Sequence, residues 1–175
     1  MTTYYDTTGA KHLADCKQCL AGYLCATEAV GALDASNSTV KCADGHYCVR
    51  RAFVAVPCPY GTYLAQSDLG TGVDSCVTCP EHYYCEKGQS DPRANACPAG
   101  TICPLGSGFY TLCEAGKFCA QSTDSNGHNV IEQNDCTAGY YCPQGTSTEI
   151  LCTDASLCPA GSKFEGGSAV TCPAG

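Results

Sequence analysis

Residues 97–119 read CPAGTICPLGSGFYTLCEAGKFC. Two copies of one element stand here, Cys97 to Cys103 and Cys113 to Cys119, each a cysteine, five residues and a second cysteine. The same element recurs on both sides: CLAGYLC from Cys19, CADGHYC from Cys42, CPEHYYC from Cys79, CTAGYYC from Cys136 and CTDASLC from Cys152. CPYGTYL from Cys58 has Leu64 where the second cysteine would fall, and the sequence stops within a further copy, CPAG from Cys172. The residue three after each first cysteine is glycine, except at His82 and Ala155. The residue five after is Leu24, Tyr47, Tyr63, Tyr84, Ile102, Phe118, Tyr141 or Leu157, always apolar or aromatic. Proline or a polar residue followed by glycine predicts a tight turn with a positive-φ site. The aromatic residue behind it predicts a short strand lying on a disulfide.

Composition explains why sulfur must carry the fold. The chain has 175 residues and 18 cysteines, whereas Leu, Ile, Val and Phe together supply 26. That apolar share is about 15%, below the roughly 20% at which chains usually fail to build a packed core. Ordering entropy must then be offset by covalent cross-links, which form in an oxidising compartment. The expected location is extracellular or at the cell surface. A formal net charge of −8 argues against nucleic-acid binding, which wants a basic face. The longest apolar stretch, around Phe53 to Val56, is too short to span a bilayer. Residues 1–10 (MTTYYDTTGA) lack the apolar core of a secretory leader. Together with the interrupted final motif, this leads us to expect a processed chain or a segment of a longer one.

A longer period overlies the motif. Cys19, Cys25, Cys42, Cys48 and Cys58 each recur 94 residues later, at Cys113, Cys119, Cys136, Cys142 and Cys152. The expected organisation is an N-terminal arm (1–15), a first cysteine-rich block (16–112) and a second, incomplete block (113–175). Intervals such as GSGFYTL and STDSNGHN read as loops. The expected fold is therefore small and disulfide-rich: an elongated tandem array of short β-hairpin and loop units with little or no helix.

The stretch CPYGTYLAQSDLGTGVDSCVTCPEHYYC from Cys58 resembles an ephrin-receptor-like cysteine-rich repeat and is similar to a cysteine module of tumour necrosis factor receptors. The Cys-Pro-Ala-Gly forms at Cys97 and Cys172 resemble tandem versions in large surface proteins of protists. The long form covers one motif and the abbreviated form the rest. The resemblance implies an extracellular setting, disulfide ladders and no catalytic residues.

Spacing leaves two pairings open. In one, each motif closes on itself: Cys19–Cys25, Cys42–Cys48, Cys58–Cys76, Cys79–Cys85, Cys97–Cys103, Cys113–Cys119, Cys136–Cys142 and Cys152–Cys158, with Cys16 and Cys172 left for a bond between copies. In the other, each first cysteine joins the cysteine before it, from Cys16–Cys19 and Cys25–Cys42 to Cys158–Cys172. The receptor resemblance implies Cys58–Cys76 and so leans to the first. A seven-residue closed loop contributes about 2.4 kcal/mol in the loop-entropy picture.

Other candidates weigh less. Cys16-x2-Cys19 and Cys76-x2-Cys79 have zinc-knuckle spacing, but the pairs lie 60 residues apart within a disulfide-like array. Neither His12, His46, His82 nor His128 has a partner identifiable from sequence, and no catalytic constellation or cofactor motif stands out. Asn37-Ser38-Thr39 is an N-glycosylation sequon in a polar stretch, and Ser122, Thr123 and Ser125 are weaker O-linked candidates. Tyr4 and Tyr5 lie in a strand-forming arm suited to adding an edge to a neighbouring copy. The expected role is an extracellular structural protein of a filament, coat or matrix, without enzymatic activity, whose partners are head-to-tail copies of itself. The alternative is a cysteine-rich stalk or ligand-binding module of a receptor or adhesin, using the long intervals Cys25 to Cys42 or Cys119 to Cys136.

Overall fold

A computed structural model describes residues 20–24 and 40–165. Residues 1–15, Cys16, Cys19, Cys25, Asn37 and Cys172 lie outside them, and with them the expected Cys19–Cys25 closure. By contacts the chain forms two compact units, Met1–Cys79 with Cys85–Pro92, and Pro80–Tyr84 with Arg93–Gly175.

In the first unit β1 (Tyr23–Leu24) pairs with β2 (Val40–Lys41), β3 (His46–Tyr47) with β4 (Val56–Pro57), and β5 (Thr62–Tyr63) with β6 (Val77–Thr78). In the second, β7 (Thr101–Ile102) pairs with β8 (Thr111–Leu112), β9 (Lys117–Thr123) with β10 (Asn129–Asp135), and β11 (Tyr140–Tyr141) with β12 (Ile150–Leu151). All six pairs are antiparallel two-stranded sheets. Among the described residues there is no α-helix, only 3₁₀ turns at Val73–Ser75 and Ala155–Leu157. The motif's local chemistry produces this pattern. Thr101 N–H bonds the Pro98 carbonyl at 3.1 Å with Gly100 at φ 80°, a turn that needs a positive-φ residue at its third position. The Thr101 hydroxyl bonds the same carbonyl at 2.6 Å. The chain leaves this turn extended and pairs with the two residues just before the next motif.

Among the described residues seven disulfides are formed: Cys42–Cys48, Cys58–Cys76 and Cys79–Cys85 in the first unit, and Cys97–Cys103, Cys113–Cys119, Cys136–Cys142 and Cys152–Cys158 in the second. Six of them span a sequence separation of 6, closing a motif on itself. The sulfur atoms are also the interior. Among the described residues seventeen apolar ones are buried, and thirteen of these are cysteines, the others being Ala52, Leu64, Tyr83 and Ile131. The aromatic slot lies half-buried against them rather than beneath them. In the second unit Tyr84 and Ile102 pack on Cys97, Cys103, Cys113, Cys119 and Ile131.

Backbone hydrogen bonds join successive motifs in one repeated way. The fourth residue of a motif donates its N–H to the last residue of the next motif, and its carbonyl accepts from the next motif's first cysteine. In the first unit Gly45 N–H bonds Leu64 O at 3.1 Å and Cys58 N–H bonds Gly45 O at 2.8 Å. In the second, Gly100 N–H bonds Cys119 O at 3.0 Å and Cys113 N–H bonds Gly100 O at 2.9 Å. The same pair of bonds recurs at Gly22, Gly61, His82, Gly116 and Gly139. These fourth residues all have positive φ, from 68° at His82 to 91° at Gly116.

A second turn, absent from the sequence reading, follows the closing cysteine. Three residues beyond it stand Arg51, Gly88, Gly106, Gly145 and Gly161, all at positive φ. Gly145 N–H reaches back to Cys113 O at 2.9 Å, and Gly161 N–H to Cys136 O at 2.8 Å. The carbonyl of this turn fills the space above an earlier fourth residue. A Cβ on Gly100 would stand 2.2 Å from Gly145 O, and one on Gly45 1.9 Å from Gly88 O.

Two expectations are corrected. The 119–136 interval is not a loop: β9 and β10 extend through seven residues each, with loop only at 124–128. Nor does Leu157 lie on its disulfide. Ala155 lacks glycine's freedom, the segment winds into a 3₁₀ turn, and Leu157 is 48% exposed.

Gly100→Ala should destabilise the disulfide-intact protein by about 3 kcal/mol, combining positive-φ strain with the backbone clash. Gly72→Ala should be near neutral, since nothing lies within 4 Å of its Cβ position and its φ is −173°. Guanidinium unfolding of the two variants measures the difference.

Candidate functional site

The long hairpin is the main departure from the repeat, and its geometry starts at the turn. Asp124 N–H bonds His128 O at 2.9 Å and Gly127 N–H bonds Asp124 O at 3.0 Å, with Gly127 at φ 78°. This is a three-residue hairpin loop with glycine at its left-handed position. The Asp124 carboxylate accepts from the N–H groups of Asn126 and His128, both at 2.8 Å. His128 Nδ1 lies 3.2 Å from the other carboxylate oxygen. The backbone bond from His128, ahead of those from Asn126 and the imidazole, holds the Asp124 carboxyl below its usual range. The dipeptide Asn126-Gly127 is the signal that could have revealed this hairpin from sequence.

The hairpin docks on the CPEHYYC turn through alternate residues of β10. Asn129 and Ile131 face inward, as the period of two requires. Asn129 N–H donates to the Tyr83 hydroxyl at 2.7 Å. Its side-chain amide donates to His82 O at 3.0 Å and Cys97 O at 3.3 Å, and its Oδ1 accepts from Gln121 Nε2 at 2.7 Å. Ile131 N–H donates to His82 Nδ1 at 3.2 Å, which places the imidazole proton on Nε2. Every polar atom of the buried Asn129 side chain is thus matched.

This docking explains a non-glycine residue in the glycine slot. At Gly45, Gly100 and Gly116 the post-cysteine turn two motifs on crowds the fourth residue, through Gly88, Gly145 and Gly161. Two motifs beyond His82 the chain continues as β9 instead of turning. A side chain fits there, and the imidazole accepts the Ile131 amide. That bond offsets a left-handed strain on the order of 1–3 kcal/mol.

The remaining sequence candidates are dispersed. Cys76 and Cys79 belong to different disulfides, so that Cys-x2-Cys pair is a frame element. His46 Nδ1 lies 2.8 Å from the carbonyl of Asp44 in its own turn. His12, Tyr4, Tyr5 and the Cys16-x2-Cys19 pair lie outside the described residues, as does Asn37. Ser122, Thr123 and Ser125 are exposed around the hairpin tip. Sequence reasoning missed Asn129 and Tyr83, whose contact joins residues 46 apart.

No family model matches the chain. Over 83 residues it is 31% identical to "ABC transporter G family member 28" of Arabidopsis thaliana. The match covers 47% of this chain and 7% of the plant protein, so the chain spans only a small part of that relative.

Asn129→Ala should cost about 2–3 kcal/mol by leaving buried partners unmatched, and should abolish exchange protection of the Ile131 amide. The tip should also respond to acid. The folded Asp124 pKa lies below the ordinary aspartate value, so its contribution is complete above that ordinary value and is lost as pH falls through the lowered one. Amide exchange at Asn126 and His128 should quicken only below the ordinary carboxylate range.

Proposed function

We propose that the chain is an extracellular structural protein, a disulfide-stabilised segment of a filament, coat or matrix that associates with copies of itself. The observation that carries this reading is the interior, in which thirteen of the seventeen buried apolar residues among those described are cysteines. Such a fold needs an oxidising compartment and suits a setting without a reducing system. Repetition of one hydrogen-bonded junction supports a role in which units are added rather than a single site elaborated. The resemblance to ephrin-receptor-like repeats agrees with that setting, and the Cys58–Cys76 bond is the pairing that resemblance implies. Among the described residues His46 and His128 engage their own turns and His82 accepts the Ile131 amide, which favours a non-enzymatic role. No helix of the described residues is long and apolar enough to cross a membrane.

A second reading, a stalk or binding module within a larger protein, has two observations in its favour. The 119–136 interval is an ordered hairpin departing from the repeat, and the similar stretch in the plant relative is 7% of a protein named as a transporter.

Electron microscopy of native material separates the readings. Fibres or sheets with an axial repeat are expected, and a non-reducing gel should show species that collapse with thiol if Cys16 and Cys172 join copies. Dispersed monomers attached to a larger polypeptide would establish the stalk instead.

A further inference from the structure

Among the described residues two non-glycine residues hold positive φ, and of these His82 is explained by a contact. Arg51, at φ 67°, occupies the post-cysteine slot taken elsewhere by Gly88, Gly106, Gly145 and Gly161. It is exposed, and among the described residues its guanidinium bonds nothing. A strained residue kept where glycine would sit freely points outward, to a partner.

Its surroundings describe that partner. In the segment VRRAFVAV (49–56), Ala52 and Ala55 pack inward on Cys42 and Cys48. Their neighbours are thereby turned out: Val49 is 50% exposed, Phe53 41%, Val54 74% and Val56 40%. Arg50 and Arg51 flank this apolar tip, and the segment contains no carboxylate. The fitting surface is apolar and acidic.

The second unit carries such a surface. Ile150, Leu151, Leu157 and Phe164 are exposed. Glu165 accepts from the Thr153 N–H at 2.9 Å and from its hydroxyl, which brings the 163–165 segment beside 153. Asp154 accepts from the Ser156 N–H at 2.9 Å and hydroxyl at 2.6 Å. Both carboxyls sit below their usual range because of these bonds, the hydroxyl bond first in each case. Lys163 is the neighbouring cation, its stem lying along Gly116. With Glu149 the patch keeps a net negative charge.

We infer that the 49–56 loop of one copy docks on the 149–165 surface of a second copy, joining copies head to tail. This rests on the structural reading above and names its interface. Two different surfaces meet, so the contact is heterologous and propagates rather than closing as a two-fold dimer. An anionic lipid surface is the weaker occupant, because a chain of net charge −8 is repelled by it as a whole, whereas every copy carries the matching acidic patch.

Sedimentation velocity of the disulfide-intact full chain across a concentration series tests the inference. Native protein should form concentration-dependent oligomers. R50E/R51E and D154K/E165K should each weaken self-association by about tenfold or more, and an equimolar mixture of the two should restore it. R50Q/R51G separates binding from folding: it removes both charges and relieves the φ strain, so association should fall without any drop in thermal midpoint. Oligomers unchanged by R50E/R51E, or variants that fail to restore each other, would overturn this interface, and fibres persisting in R50E/R51E would do so while leaving the structural role intact. Native chain that stays monomeric overturns both, and if it then binds phosphatidylserine vesicles through the loop, lipid is the occupant.

Discussion

From Gly22 to Gly139 the fourth residue of the motif is committed on three sides. Its N–H and its carbonyl are both bonded to the following motif, and its backbone must turn left-handed to present them. Where the post-cysteine turn lies above, as at Gly45, Gly100 and Gly116, there is no room for a Cβ. In six motifs the disulfide fixes the two ends, and the positive-φ peptide fixes a motif to its neighbour. Neither would suffice alone: two-residue strands are too short to hold a sheet, and six-residue cross-links order only a local loop. Together they replace the apolar interior that 26 large aliphatic and Phe residues could not build.

Because the junction is so regular, its departures are informative. His82 sits where glycine should be, and the chain that would have crowded it has become the long hairpin. The hairpin then uses the imidazole and the Tyr83 hydroxyl as acceptors for its own amides. The side chain at 82 and the long hairpin thus fit together: the hairpin leaves room for the imidazole, and the imidazole accepts one of its amides. Ala155 shows the converse. Without positive φ the turn is lost, and the apolar residue meant for the disulfide is left at the surface. Arg51 is the remaining exception, and its strain has no compensating contact among the described residues.

These features support the structural role proposed above, in which the surface makes the contacts. The interior is nearly all half-cystine, and the polar cluster around Asn129 holds the hairpin in place. What faces solvent is richer: exposed valines, leucines and phenylalanines interleaved with charge, on turns that disulfides hold still. Preorganised loops of this kind bind with little further ordering cost. The partial likeness to a plant protein, 47% of this chain against 7% of the other, concerns a segment and leaves the role of the whole to these surfaces.

The amino-acid sequence was sufficient for the class of fold. Cysteine spacing, the glycine three residues on and the shortage of aliphatic side chains specify short turns stapled by sulfur, because each is a constraint acting within about ten residues. It left the pairing open, since two schemes satisfy the same spacing, and it gave Cys119 to Cys136 as loop although Asn126-Gly127 marked a hairpin. The tertiary structure decided what depends on distant neighbours. It set Cys76 on Cys58 and Cys79 on Cys85, and Asn129 against a turn 46 residues away. It also showed which alanines of VRRAFVAV turn inward and so which residues are left out in water. Local chemistry writes a turn into its own residues, whereas the company a side chain keeps is settled only when remote segments of the chain close around it.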